Sequence, residues 1–257
     1  MGSVESRSLG ATLLRHPKTA MPSASVSIPP QITPEEIDTL PGLSSESREC
    51  IRRLCDYKPP QSDFCPPEHT GIGRAAVLVL LFEREGSLRV LLTTRSKELH
   101  SRPGLTVLPG GKYESTDESL VATAYREASE EVGLDIKSPH LRTVVTLPPF
   151  FSSRKYIVTP TVAVLTDPSL LNTLAPLQGE VDTIFDHPVK AFLDPTIVPG
   201  ENVSPVDPGQ WVRESEFHDF RDFIPGAIVG HGYRMHRFHS TGSPITGLTA
   251  DFMVCEG

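Results

Sequence analysis

Residues 109–134 have the sequence PGGKYESTDESLVATAYREASEEVGL, and this stretch decides the fold class. A Pro-Gly-Gly turn comes first, and Ser115 and Glu118 then have the S-x-x-E spacing of a capping box, which predicts a helix that begins near Thr116. Gly133 is placed to end that helix. The apolar residues between these limits fall on one helical face: Leu120, Val121, Ala124 and Ala128.

Three glutamates of this predicted helix, Glu127, Glu130 and Glu131, are three and four residues apart, so their carboxylates share one side of it. Clustered carboxylates repel one another, and Mg²⁺ or Mn²⁺ would offset the repulsion because hard cations prefer oxygen ligands. The alternative is a solvated acidic surface, in which Arg126 pairs with Glu130. The glycine turn favours the metal site, since glycines let the backbone come close to a ligand.

The bulk composition limits the classes of function. The chain has 257 residues and a formal net charge of −8, whereas sequence-independent binding of nucleic acid needs a basic face, so no nucleic-acid partner is expected. No run of 18 apolar residues is present, so no membrane span is expected. Four cysteines without CxxC spacing indicate reduced thiols and an intracellular protein.

The chain divides into three predicted regions. Residues 1–32 lack periodicity and predict a disordered N-terminal tail, with a transit peptide as the alternative. Residues 33–73 predict a helical extension, in which Thr33 caps one helix and a second covers 44–57. In residues 74–257, candidate strands surround the one strong helix and predict an α+β fold with a mixed sheet. The candidate strands are 74–83, 88–95, 142–150, 156–166, 180–188 and 233–238, followed by a last helix over 247–254.

The glutamate-rich stretch resembles the Nudix box, G-x5-E-x7-R-E-U-x-E-E-x-G-U, where U is a bulky aliphatic residue. The matching positions are Arg126, Glu127, Glu130, Glu131, Gly133 and Leu134. The sequence departs from the box at Ala128, which is smaller than the usual aliphatic residue, and in carrying one extra residue between Gly111 and Glu118. Because of that extra residue, either Asp117 or Glu118 occupies the first acidic position of the box.

The resemblance implies a Nudix fold, which is an α/β/α sandwich with a mixed sheet and a catalytic helix. It implies that water attacks a phosphorus of a diphosphate, with Mg²⁺ or Mn²⁺ held by Glu127, Glu130 and Glu131. Glu130 and Glu131 are also implied as catalytic carboxylates. Arg126 and Gly133 are implied to be structural.

Residues 91–111, LLTTRSKELHSRPGLTVLPGG, are similar to the signature of the coenzyme A diphosphatase branch, L-L-T-x-R-[SA]-x3-R-x3-G-x3-F-P-G-G. His100 and Leu108 differ from it, standing where the signature has Arg and Phe. Downstream, residues 179–195 also resemble this branch, and Glu180 is the candidate for a further catalytic acid. The implied reaction is hydrolysis of CoA or acyl-CoA to 3′,5′-ADP and (acyl-)4′-phosphopantetheine.

The candidate substrate-binding residues all belong to the same signature: Arg95, His100, Gly110 and Gly111. CoA carries a 3′-phosphate besides its diphosphate, so its site needs a cation in addition to the metal. Arg95 is the first candidate for that cation. The alternative is that Arg95 is an ordinary surface arginine at a strand end.

Two rival functions stay open from the sequence. One is a Nudix hydrolase for another substrate, such as an oxidised nucleoside triphosphate or ADP-ribose. The other is a Nudix-like module that binds without turnover, and the retention of all three helix glutamates argues against it. The resemblance implies a mitochondrial or peroxisomal location, with the cytosol as the alternative.

Overall fold

The computed structural model describes residues 27–58, 71–152, 156–200, 203–204, 217–223 and 233–254. Within these ranges it has four α-helices: α1 (Pro34–Ile37), α2 (Ser45–Asp56), α3 (Leu120–Val132) and α4 (Leu248–Val254). The long strands are β1 (Gly73–Arg84), β2 (Ser87–Arg95), β5 (Leu141–Thr146), β7 (Tyr156–Leu165), β8 (Val181–Pro188), β9 (His218–Phe223) and β10 (Tyr233–Phe238). The short strands are β3 (Thr106–Val107), β4 (Gly110–Lys112), β6 (Phe150–Ser152) and β11 (Ile245–Thr246), and short 3-10 helices cover Pro168–Thr173, Val189–Phe192 and Pro195–Gly200.

A mixed sheet is built around β1. This strand runs parallel to β7 along ten residue pairs and antiparallel to β2 through a tight turn. The two turn residues, Glu85 and Gly86, both have positive φ, which matches the twist of a two-residue hairpin. β5 and β6 pair with β7, and β8 pairs with β2. A second sheet has the strand order β11-β10-β9.

The segment Thr106–Lys112 fills the space where β1 and β2 diverge. β1 pairs with β2 only as far as Leu81 and Val90. Beyond that point β3 pairs with β2, and β4 pairs with β1. The backbone N–H of Leu78 in β1 donates to the carbonyl of Pro109 at 2.8 Å, so the stretch between β3 and β4 is also bonded to β1. The glycine turn is therefore held inside the sheet.

Helices cover both faces of the sheet. Along β1 the side chains alternate, so that Leu78 and Leu80 contact α3, while Val79 and Leu81 face the opposite layer. The α3 side is closed by four almost fully buried residues: Ala124, Tyr125, Ala128 and Val132. The other side is closed by Ile37 of α1, Ile51 of α2 and Phe252 of α4. The predicted α/β/α sandwich with a mixed sheet is confirmed.

Two local predictions differ from the structure. α3 begins at Leu120, not near Thr116, because the hydroxyl of Ser119 accepts the N–H of Ala122 and caps the helix there. A proline within a predicted strand indicates an edge or a bulge, but Pro160 lies within β7, between β1 on one side and β5 and β6 on the other. It lies where β5 and β6 separate, so the missing proline N–H interrupts the pairing there.

The N-terminal segment is joined to the core. Residues 1–26 of the predicted tail lie outside the described residues, whereas Gln31 forms a bridge to Thr143 of β5. The predicted helices of residues 33–73 are present as α1, capped at Thr33, and as α2. The division into tail, extension and a domain over 74–257 stays a prediction. The helices of the described ranges are all too short or too polar to cross a lipid bilayer.

Candidate active site

The glycine turn lies directly against the glutamates of α3. A side chain on Gly111 would overlap the carboxylate of Glu127, and one on Gly110 would overlap the backbone of Ala76 and Val77. The backbone N–H of Gly110 donates to Glu131 Oε2 at 3.0 Å. Close approach to backbone therefore requires glycine at Gly110, while at Gly111 a side chain would displace the carboxylate of Glu127.

Two of the three helix glutamates are buried. Glu127 is 6% exposed and Glu131 is 7% exposed, whereas the side chain of Glu130 is 44% exposed. Burial, with smaller contributions from the carboxylates of Glu127 and Glu180, raises the pKa of Glu131 to about 7 against the opposing effects of the Gly110 N–H and Arg95. The site therefore contains a carboxyl group whose charge the metal-free protein does not fully compensate.

Arg126 organises the acidic residues at the start of α3. Its guanidinium donates to Asp117 through Nε at 2.8 Å and through Nη2 at 3.0 Å, and it also donates to the carbonyl of Lys112. Weaker contacts join Nη1 to Glu127 at 3.1 Å and to Glu130 at 3.4 Å. The hydrogen bonds to Asp117 raise the pKa of Arg126 above its ordinary value, so the cation is permanent.

Asp117, and not Glu118, pairs with this arginine. Asp117 is buried and also accepts the N–H of Glu114 and the hydroxyl of Thr123, whereas Glu118 is exposed. Burial alone would raise the pKa of Asp117, but the hydrogen bonds from Arg126, Glu114 and Thr123 outweigh it, and the pKa is lowered. Of the two residues that the sequence left open, the shorter acid takes the place beside Arg126.

Arg95 and Glu180 meet near Glu131. Both alter its pKa through their charges, which places them within electrostatic reach of it. They are held together because Arg95 ends β2 opposite Val181 of β8, and the N–H of Ser96 donates to the carbonyl of Glu180 at 2.9 Å. The Nε of Arg95 is buried and has no hydrogen-bond partner among the described residues. A buried donor of this kind is available to an anionic ligand.

His100 is not brought into the cluster. It lies exposed on the loop 96–104 and forms no hydrogen bond or ion pair with the α3 glutamates among the described residues. The loop is closed at its base by Arg95, whose N–H donates to Leu105 and whose carbonyl accepts from Gly104. His100 is thus at the tip of a loop that starts beside the site.

The sequence reasoning missed the segment that anchors the end of α3. Gly133 ends the helix in the left-handed conformation, with φ of 70°, as predicted. Beyond it, the N–H groups of Ala175 and Leu177 donate to the carbonyls of Val132 and Glu131 at 3.0 and 2.9 Å. These are ordinary backbone bonds, so no side-chain pattern could have revealed them.

The donor set suits a divalent cation, although it is not assembled into a coordination shell. Within the described ranges, no three Asp, Glu, His or Cys side chains are grouped closely enough to hold a metal ion. Glu127 and Glu131 nevertheless bury two carboxylates next to each other, and a cation would remove the cost that raises the pKa of Glu131. These two residues, together with Glu130, are the ones that would hold it.

Comparison with known proteins identifies the family. A family model described as the NUDIX domain matches residues 73–225, more than half of the chain. The chain belongs to the Nudix family. Members of this family typically need divalent metal ions. The resemblance of residues 109–134 to the Nudix box is thereby confirmed.

Three curated relatives are similar to this Nudix chain. Nudix hydrolase 15, mitochondrial, of Arabidopsis thaliana is 40% identical over 187 residues, which cover 70% of this chain and 56% of the relative. Peroxisomal coenzyme A diphosphatase NUDT7 of Mus musculus is 39% identical, covering 50% of this chain and 52% of the relative. Peroxisomal coenzyme A diphosphatase ndx-8 of Caenorhabditis elegans is 38% identical, covering 51% and 55%. The chain spans about half the length of these relatives.

Proposed function

We propose that this Nudix chain hydrolyses the diphosphate of CoA or acyl-CoA, giving 3′,5′-ADP and (acyl-)4′-phosphopantetheine, with Mg²⁺ or Mn²⁺ as cofactor. The observation that carries the proposal is the cluster of Glu127 and Glu131 against the glycine turn, with Arg95 and its buried Nε within electrostatic reach of Glu131. A diphosphate site needs carboxylates for a cation, and CoA adds a 3′-phosphate, for which a guanidinium is the matching group.

The choice of CoA rests on sequence similarity. Residues 91–111 match most of the signature of the CoA diphosphatase branch, and two of the similar relatives bear that name. The names of the relatives also support a mitochondrial or peroxisomal location for this chain. His100, where the branch signature has arginine, lies exposed at a loop tip, so we assign the substrate contact to Arg95 and the glycine turn.

In the proposed reaction, each residue has a defined task. A bound divalent cation neutralises phosphate charge and lowers the pKa of the attacking water. Glu127, Glu130 and Glu131 hold it, and Arg126 orients the first two through its contacts to Asp117 and Lys112. One of the catalytic carboxylates Glu130, Glu131 and Glu180 accepts the proton of the attacking water.

Product identification tests the proposal directly. The full chain is incubated with CoA and Mg²⁺, and in parallel with ADP-ribose and an oxidised nucleoside triphosphate, and the products are separated by mass. Release of 3′,5′-ADP with a higher kcat/KM for CoA than for the other two is expected. Preference for another diphosphate would reject CoA and keep the hydrolase. Binding without any product would support the non-catalytic module.

Arg95→Ala tests the substrate contact. Because only CoA has the 3′-phosphate, the KM of the variant should rise about tenfold to a hundredfold for CoA and much less for dephospho-CoA. The size follows from a charge-assisted hydrogen bond of about 1.5–3 kcal/mol. His100→Ala is the matched control and should change neither ratio. Equal losses on both substrates would assign Arg95 to positioning the glutamates.

A further inference from the structure

Arg74 and Tyr113 lie opposite each other where β1 pairs with β4. Ala76 of β1 is paired with Gly111 of β4. Two positions further along, the N–H of Tyr113 donates to the carbonyl of Arg74 at 3.0 Å, so the pairing continues there. The guanidinium Cζ lies 4.0 Å from the centroid of the Tyr113 ring, which is within the range of a cation–π contact. The ring thereby fixes the direction of the arginine side chain.

This pair lies on the face of the sheet that carries the glutamates. Side chains two residues apart along a strand share a face, so Arg74 lies on the same face as Ala76. Tyr113 likewise shares the face of Gly111, where an added side chain would overlap the carboxylate of Glu127. Two residues of strand measure about 7 Å, so Arg74 lies close beside the glycine turn and its contact with Glu127.

The guanidinium of Arg74 is available to a ligand. Arg74 is exposed, and its side chain forms no ion pair or hydrogen bond with any residue that the structure describes. An arginine stacked on a ring uses a face of its guanidinium, while the N–H donors lie in the plane and can still bind an anion. Arg126, by contrast, is already engaged by Asp117. Arg74 is thus an oriented cation whose donors are not used within the described part of the chain.

A second cation beside the glycine turn faces the other way. Lys112 is paired with Ala75, whose side chain packs against the apolar layer on the side of the sheet opposite α3. Its Nζ lies 5.6 Å from the centroid of the Tyr156 ring, and Tyr156 packs against the same layer. Of these two cations, Arg74 is the one on the face of the glutamates.

We propose that Arg74 binds a phosphate of the substrate's diphosphate and that Tyr113 positions it for this contact. The inference rests on the proposed function, because it places a diphosphate beside the glycine turn and the α3 glutamates. Those glutamates repel an anion, so the diphosphate needs compensating charge from the protein in addition to a bound cation. A guanidinium suits this task because its N–H donors match two phosphate oxygens at once. The contact differs from the one assigned to Arg95, which is made to the 3′-phosphate.

Two probes that share a base and a ribose test the proposal: adenosine and α,β-methylene-ADP, in which a carbon replaces the bridging oxygen and prevents cleavage. Their affinities for the full chain are measured by calorimetry with Mg²⁺ in excess. The ratio of the two dissociation constants isolates the contribution of the two phosphorus groups. The unaltered chain should bind α,β-methylene-ADP at least about tenfold more tightly than adenosine.

Variants assign the contact to Arg74. Arg74→Ala should weaken α,β-methylene-ADP about tenfold or more and leave adenosine unchanged. Arg74→Lys should restore only part of the loss, because an ammonium keeps the charge and lacks the paired donors. Tyr113→Phe should bind as the unaltered chain does, since it keeps the ring, whereas Tyr113→Leu should lose part of the affinity for α,β-methylene-ADP.

The matched control is Arg234→Ala, because Arg234 is also exposed and its Cζ lies 4.3 Å from the centroid of the Phe220 ring, in the second sheet. It should bind both probes as the unaltered chain does. Equal losses for the two probes in Arg74→Ala would assign the arginine to the base, and no loss for either would leave it a purely structural role. Each of these results overturns the proposal, as does equal affinity of the unaltered chain for both probes. Neither probe contains CoA, so a chain that binds them as expected without cleaving CoA would keep the phosphate contact and reject CoA as the substrate.

Discussion

Asp117 is the residue on which the position of Arg126 depends. It accepts two hydrogen bonds from the guanidinium, and its own side chain is 2% exposed. Asp117→Asn removes the charge that compensates a largely buried cation, so we expect a loss of about 3 kcal/mol in the free energy of unfolding. Urea denaturation measures it. Glu118→Gln, at the exposed neighbour, should stay within about 0.5 kcal/mol. Equal effects of the two changes would reject the pairing with Asp117.

Glu131 makes the stability of the metal-free protein depend on pH. Burial, followed by the effect of the neighbouring carboxylates, raises its pKa to about 7 from an ordinary 4.5, so the folded state binds this proton more tightly than the unfolded state does. The stabilising contribution is fully present below about pH 4.5 and is lost as the pH rises through about 7. The complete difference corresponds to about 3 kcal/mol.

The measurement compares Glu131→Gln with the unaltered chain, both with the metal chelated. The unaltered chain should lose stability relative to the variant between about pH 4.5 and 7, because the glutamine carries no proton to release. Above pH 7 the variant should be the more stable of the two. Parallel pH profiles for the two proteins would show that Glu131 is not desolvated. Addition of Mg²⁺ should stabilise the unaltered chain more than the variant.

At the scale of elements, α3 is fixed by its two ends. Gly133 ends it with φ of 70°, a conformation that costs an L-residue about 1–2 kcal/mol. A side chain there would lie 3.6 Å from Ala175 N, which is ordinary contact, so backbone strain is the main cost. Gly133→Ala should therefore lower the unfolding free energy by about 1–2 kcal/mol. Gly133→Asn should cost less, since asparagine tolerates this conformation. A larger loss for Asn than for Ala would indicate crowding in place of strain.

The elements also show what the sequence could predict. The helix, its glycine end and the long strands other than β9 follow from periodicity and turn residues, which act locally. The predicted start of α3 was wrong because Ser115 and Ser119, four residues apart, are both candidate helix caps. In the structure Ser119 caps the helix, and Asp117 lies before it and contacts Arg126. The strands β3 and β4 are too short to have a period, and they form because β1 and β2 diverge around them.

The same limit applies to the candidate site. The three glutamates, Arg126 and the glycine turn are close in sequence, so their spacing alone predicts that they meet. Arg95 and Glu180 are far apart in sequence, and only the pairing of β2 with β8 brings both to Glu131. Their placement at one site came from the family resemblance. The unequal burial of the three glutamates could not be predicted, because it depends on how closely Gly111 approaches Glu127.

At the scale of the whole molecule, we expect the N-terminal segment to unfold together with the sheet. Ile51 of α2 is fully buried in one apolar layer with Val79 of β1, and the N–H of Ser44 donates to Glu83 at 2.6 Å. Truncating a buried isoleucine costs about 2–5 kcal/mol. Because the layer is shared, Ile51→Ala should lower the free energy of opening by a similar amount in α2 and in β1.

Hydrogen exchange of the two segments measures this coupling. Peptides from α2 and β1 should lose protection together in Ile51→Ala, whereas Ile28→Ala, at a residue that is 37% exposed, should change neither by more than about 0.5 kcal/mol. If α2 opened alone while β1 kept its protection, the extension would be a separate unit laid on the hydrolase domain. Joint opening would mean that the folding unit of the active site begins before residue 73, where the matched family model starts.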